Sequence, residues 1–133
     1  MQTTKHDVLL VIPTFAPTRR VVELVEKLAL TTIVSDDASP VTADPILREL
    51  REKPKTTVLR NFRNRGIARG LNQGLEYART HGYEWLLTLD QDSMVDSDFA
   101  RALFSAAQES ESLWSQRPAV GVVQPACSEP GRA

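Results

Sequence analysis

Apolar residues fall along this chain in short unbroken runs that alternate with segments of helical spacing. Val8-Leu9-Leu10-Val11-Ile12 is a continuous aliphatic and β-branched run, which predicts a strand buried on both faces. Pro13-Thr14-Phe15-Ala16-Pro17 breaks it. From Thr18 onward Val21, Val22, Val25 and Leu28 recur at helical spacing, with Arg19, Arg20, Glu23, Glu26 and Lys27 on the other side. Thr31-Thr32-Ile33-Val34 predicts a second strand, closed by Ser35-Asp36-Asp37-Ala38-Ser39-Pro40. A shorter helix is expected from Asp44 or Pro45 to about Glu52, with Asp44 as N-cap and Pro45 at the first helical position. A third strand is expected near residues 56–60, followed by a polar loop to Arg65. Ile67, Leu71, Leu75 and Ala78 line one side of the next helix, which stops near His81-Gly82. Trp85-Leu86-Leu87-Thr88-Leu89 reads as a buried fourth strand. Ser97 is placed to cap a helix carrying Phe99, Leu103 and Ala106, with Asp98 near its positive end. Ala119 to Val123 predicts a fifth strand.

Strands alternating with helices imply βαβ units, hence an α/β fold with a parallel sheet of about five strands and helices on both faces. At 133 residues the chain is expected to form one domain over residues 1–125, followed by a disordered tail over 126–133. With 16 basic and 17 acidic residues the net charge is −1, so no global field favours nucleic acid. A single cysteine, Cys127, rules out an intrachain disulfide and suits a reducing compartment. The first apolar run is too short for a membrane span and lacks a signal-peptide pattern. The expected location is therefore cytoplasmic, with peripheral attachment at the inner membrane surface left open.

In a parallel sheet the C-terminal ends of all strands lie along one edge, where open α/β sheets bind ligands. Pro13-Thr14, Ser35-Asp36-Asp37, Asn61 to Gly66 and Asp90-Gln91-Asp92 each follow directly after a strand. Four polar clusters distant in sequence should thus converge on one crevice. Asp90 and Asp92 leave the sheet together, and carboxylate oxygens are the ligands preferred by Mg²⁺ or Mn²⁺, which bridge a few protein oxygens to substrate phosphates. Asp36 and Asp37 repel one another unless a cation or donor joins them, and an imide N–H or a sugar hydroxyl is such a donor. Gly66 at a helix N-terminus with free N–H groups suits an anion, and one of Arg63, Arg65 and Arg69 near a phosphate fits the same reading. Asn72 and Gly74, poor helix formers, point to close packing or a polar contact. Taken singly, each cluster is better explained as a turn or loop, by roughly two to one; their joint position on one edge reverses that preference. A helix or a solvent-exposed edge at Trp85–Leu89 would remove the basis for the site.

Four blocks carry a family resemblance: Val11-Ile12-Pro13-Thr14-Phe15, Val34-Ser35-Asp36-Asp37-Ala38-Ser39, Asn64-Arg65-Gly66-Ile67-Ala68-Arg69-Gly70-Leu71-Asn72-Gln73-Gly74, and Leu87-Thr88-Leu89-Asp90-Gln91-Asp92-Ser93. In order and spacing they resemble the nucleotide-sugar half of family 2 glycosyltransferases, which have the GT-A fold, over about residues 7 to 125. Leu-Asp-Gln-Asp-Ser together with the Asn-x-Gly-Ile-Ala segment (Asn64 to Ala68) most resembles the rhamnosyltransferase-like branch, whose donor is dTDP-L-rhamnose. The resemblance implies that Pro13 and Thr14 lie beside the nucleotide base through their backbone. It implies that Asp37, with Asp36, bonds the base, that Asn64, Gly66 and Arg69 serve nucleotide binding, that Asp90 lies near the ribose or diphosphate, and that Asp92, with Asp90, holds Mg²⁺ or Mn²⁺. The partners implied are a nucleotide-diphosphate sugar donor and a saccharide or lipid-linked saccharide acceptor, used in polysaccharide biosynthesis.

Family members continue past the fifth strand into a region that supplies the acceptor site and catalytic base. Glu129 is the only acid after Val123, and nothing around it suggests a tuned base, so no residue is assigned as catalytic. The expectation is a truncated enzyme whose isolated chain is inactive; the alternative is a non-catalytic nucleotide-sugar-binding remnant or module. A phospho-acceptor domain of the flavodoxin-like kind also gathers acids at strand ends, but it needs a Lys at the end of a late strand, and here Val123-Gln124-Pro125 stands there.

Overall fold

In the computed structural model, which describes the backbone of residues 8–113 and side chains through Glu109, the strand β1 (Val8–Thr14) runs through the centre. Val8 to Ile12 are wholly shielded from solvent. It pairs in parallel with β2 (Thr31–Asp36) on one side and β4 (Trp85–Thr88) on the other, and β2 pairs in parallel with β3 (Thr56–Arg60). The order across the sheet is β3-β2-β1-β4. The helices α1 (Arg19–Leu28), α2 (Asp44–Glu52), α3 (Ile67–Thr80) and α4 (Ser97–Leu113) follow the strands in turn.

Alternation along β1 sends its side chains to two cores. Val8, Leu10 and Ile12 join Val34 and the inner faces of α1, α2 and α4. Leu9 and Val11 join Ile33 and Ala78 beneath α3. The expected α/β architecture, with a parallel sheet covered on both faces, is therefore what forms. Thr18 opens α1 by accepting a 3.4 Å bond from Arg20 N–H. Across the exposed side of α1 and α2, Arg19 grips Glu49 through two bonds of 2.5 and 2.8 Å. That hydrogen bonding holds the Glu49 carboxyl below its usual range and raises the Arg19 pKa.

Several local expectations are corrected. Four strands are found among the described residues; the expected fifth, 119–123, and the tail 126–133 lie outside them. β4 is not buried on both faces. It is an edge strand among the described residues, with Leu87 buried, Trp85 and Leu86 half-buried and Thr88 exposed. An exposed edge here is the condition expected to remove the basis for the site; the strand is an edge but a largely shielded one, and its end stays bonded to the central strand, Leu89 N–H donating to the Val11 carbonyl at 3.1 Å.

Asp44 is not an N-cap. A 3-10 turn over Val41–Ala43 leads straight into α2, so Ala43 takes the cap position and Asp44 is already helical. Its carboxylate pairs instead with Arg60 at 2.7 Å, and Pro45 comes second in the helix. The α4 cap is Asp96 rather than Ser97, accepting from Phe99 N–H at 2.9 Å. The buried face of α4 uses Ala100 and Ala107, while Ala106 is exposed.

The inner face of α3 is also displaced from expectation. Ile67 and Leu75 are exposed, and Gly70, Gly74 and Ala78 face the sheet. A Cβ on Gly74 would lie 2.3 Å from Val11 Cγ2, so the missing side chain lets the helix backbone settle directly onto β1. Asn72 has no share in that packing and is exposed.

Candidate functional site

Parallel pairing brings Thr14, Asp36 and Arg60 into register at neighbouring strand ends. Beyond this edge lies a cleft of about 420 Å³. Its floor is Pro13, Thr14 and Ser35; Gly66, Ile67 and Gly70 form the α3 wall, and Asp90, Gln91 and Asp92 the opposite one, with Asp37 and Asn61 also on the lining. The four sequence clusters do meet. Among the individual residues, Pro13, Thr14, Asp37, Gly66, Asp90 and Asp92 line the cleft, whereas Asp36, Asn64 and Arg69 do not.

Asp36 is fully buried and turned inward. Its oxygens accept from the Thr14 hydroxyl at 2.8 Å, the Ser39 hydroxyl at 2.6 Å and Ser39 N–H at 3.0 Å, with Arg60 Nε 3.8 Å away. Ser39 Oγ in turn accepts from Ala16 N–H at 2.8 Å. Asp36 thus knits the loops after β1 and β2 together, and the expectation that it reaches a ligand is replaced by a scaffold role.

The Asp37 side chain crosses to the loop before α3. It accepts from Arg65 N–H at 2.7 Å and Gly66 N–H at 2.9 Å. The Gly66 N–H is therefore not free for an external anion, since this chain's own carboxylate occupies it. Gly66 adopts φ 88° and ψ 169°, a conformation essentially reserved for glycine. It is what turns both N–H groups toward Asp37.

Asp90 and Asp92 are exposed, and no donor among the described residues engages either side chain. The backbone around them forms a tight turn, Ser93 N–H donating to the Asp90 carbonyl at 3.0 Å. Gln91 between them makes a reciprocal pair with a residue 76 positions away: Phe15 N–H donates to Gln91 Oε1 at 2.8 Å, and Gln91 Nε2 donates to the Phe15 carbonyl at 3.0 Å. This tether keeps the turn on the cleft although β4 is an edge strand among the described residues. Sequence reading missed it, because a glutamine flanked by two acids looks like part of a solvated turn. A second missed residue is Gln73, whose Oε1 accepts from the Ser35 hydroxyl at 2.5 Å and from Asn61 Nδ2 at 3.2 Å while its Nε2 donates to Asn61 Oδ1 at 2.8 Å. Its signal was a polar residue immediately before the inward-facing Gly74.

Two carboxylates on the cleft with no partner among the described residues suit a hard divalent cation that shares its coordination with a substrate. Among the described residues no group of three or more His, Cys, Asp or Glu could enclose a metal by itself. No described helix is long and apolar enough to cross a membrane.

No curated protein sequence matches the chain. Among protein families, Glycosyl transferase family 2 matches it over residues 10–128. That span takes in β1 from Leu10 onward, the other three strands, the cleft and both acid pairs, and so the chain belongs to glycosyl transferase family 2, whose chemistry is sugar transfer from a nucleotide-sugar donor to an acceptor.

Proposed function

We propose that this cleft binds a nucleotide-diphosphate sugar, with dTDP-L-rhamnose as the donor, together with Mg²⁺ or Mn²⁺, for transfer to a saccharide or lipid-linked saccharide acceptor. One observation supports it above the others: a single cleft of about 420 Å³ carries the Asp37 carboxylate on one side and the unpaired Asp90 and Asp92 carboxylates on another. A carboxylate offers about four acceptor sites; with two spent on Arg65 and Gly66, Asp37 can still accept from a base imide. Pro13 and Thr14 lie beside the base through their backbone. Asp92, with Asp90, holds the metal, and Asp90 also reaches the ribose or diphosphate. Asn64 and Arg69, exposed near the α3 wall, serve the diphosphate. The cation's contribution is to offset negative charge developing on the diphosphate leaving group. Gly70 leaves the wall bare: a Cβ there would stand 3.1 Å from Ser35 Oγ and 3.3 Å from Pro13 Cβ. No described residue is assigned as the base for the acceptor hydroxyl. The rhamnose preference rests on the Leu89-Asp90-Gln91-Asp92-Ser93 sequence.

Thermal denaturation with dTDP, with and without Mn²⁺, tests the donor site. Stabilisation by dTDP should contain a metal-dependent part that Asp92→Asn abolishes, and Asp37→Ala should weaken binding even without metal. Equal shifts in wild type and Asp92→Asn would reduce the acid pair to a turn. Competition of dTDP-rhamnose against UDP-sugars tests the donor, and release of dTDP with a panel of saccharide acceptors separates a transferase from a binder without turnover.

A further inference from the structure

The geometry points to Gln91 as the positioning residue of the metal-binding turn: its neutral carboxamide, paired in both directions with the Phe15 backbone, is what holds Asp90 and Asp92 where a cation and a diphosphate can share them. This rests on the donor-site reading above and names the residue on which its metal end depends.

Asp90 and Asp92 need such a device. Both are exposed, neither has a donor among the described residues, and like charges at this spacing push apart. The strand before them gives limited help, since β4 is flanked by β1 alone among the described residues and its last backbone link is Leu89 to Val11. Beyond Leu89 the ladder is continued by a side chain. Gln91 supplies one acceptor to Phe15 N–H at 2.8 Å and one donor to the Phe15 carbonyl at 3.0 Å. A carboxamide offers both groups at once, side by side and without charge. The next residue, Ala16, is fixed by Ser39, which is fixed by buried Asp36. The turn is therefore anchored to a rigid part of the fold rather than to a second loop free to move with it.

The test compares wild type with Gln91→Met, which keeps side-chain length and apolar bulk but can make neither bond, and with Gln91→Ala. Three measurements are made: dTDP affinity without metal, dTDP affinity with Mn²⁺, and amide hydrogen exchange at Phe15 and Ser93. Metal-free affinity should fall by less than the Mn²⁺ enhancement does, because Asp37 and its loop are untouched while the contact of Asp90 with the ribose is loosened. The enhancement by Mn²⁺ should fall about ten- to a hundred-fold, the range for two lost neutral hydrogen bonds. The Mn²⁺ electron-spin resonance signal should report more free metal, and both amides should exchange faster. An unchanged enhancement overturns the proposal. So does an equal fall with and without metal, which would mark Gln91 as a general stabiliser. Wild type that binds no dTDP with Mn²⁺ refutes the donor reading instead; exchange at Phe15 and Ser93 then decides, and unchanged rates in Gln91→Met overturn the positioning role.

Discussion

Asp36 and Asp37 are neighbours in sequence, yet one side chain is fully enclosed and the other lies against the cleft. The alternation of a strand sends successive side chains to opposite sides. Here it gives the inward carboxylate three hydrogen-bond donors, one from the end of β1 and two from Ser39 in the loop after β2, and the outward one two backbone N–H groups. Removing the first leaves Thr14 and Ser39 without their shared acceptor and Arg60 without a buried counter-charge 3.8 Å away. Asp36→Ala should therefore cost about 3–5 kcal/mol, as does breaking a buried charged network. Removing the second exposes N–H groups that water can reach. Asp37→Ala should melt close to wild type, speed amide exchange at Arg65 and Gly66, and lose nucleotide affinity. Thermal denaturation followed by a dTDP titration reads both. Wild-type stability in Asp36→Ala would show that the inward carboxylate is not the keystone described.

At the scale of elements, the packing of α3 turns on what Gly74 lacks. Alanine favours helix over glycine by about 1 kcal/mol, so propensity alone makes Gly74→Ala stabilising. The added Cβ would sit 2.3 Å from Val11 Cγ2 and 2.7 Å from Cγ1, so α3 must lift from the sheet, and overpacking of this kind costs about 1–3 kcal/mol or more. A net loss is expected. Trimming the obstacle should recover part of it: in a Val11→Ala background Gly74→Ala should cost less by about 1 kcal/mol, the size of coupling between touching residues. Additive losses in chemical denaturation would show that α3 does not rest on Val11. The same contact explains where sequence reading failed. Val8 to Ile12 was legible because a run buried on both faces has no polar interruption to misread. The α3 face was only half legible: Leu71 and Ala78 pack on the sheet side as expected, but periodicity counts large apolar residues and so missed Gly70 and Gly74 and included Ile67 and Leu75, which point to solvent. The α2 span Asp44–Glu52 was legible, but its cap was not, since a 3-10 turn with no side-chain cap leaves no cap residue to find.

For the whole molecule, the meeting of Asp37, Asp90 and Asp92 was legible because parallel strands deliver their C-terminal ends to one edge whatever their separation in sequence. The pairing of Gln91 with Phe15 was not, because it depends on the exact path of two loops. The site that results has a consequence for how ligands bind. Two exposed carboxylates supply only part of the six oxygens that Mg²⁺ demands, and among the described residues no third His, Cys, Asp or Glu completes a cluster. The remaining ligands must come from water or from the nucleotide's phosphates. Metal alone should then bind weakly, and metal and nucleotide should strengthen one another by the same factor, as linkage requires. Mn²⁺ alone should leave the melting temperature unchanged and dTDP alone should raise it slightly. Together, at about a hundred times the dissociation constant, they should add roughly 2.7 kcal/mol. A chelator should return the protein to its dTDP-only melting temperature. A full shift with Mn²⁺ alone would mean a cation site built without the nucleotide, and hence residues other than Asp90 and Asp92. Indifference to the chelator would mean that the two aspartates meet the ribose rather than a metal.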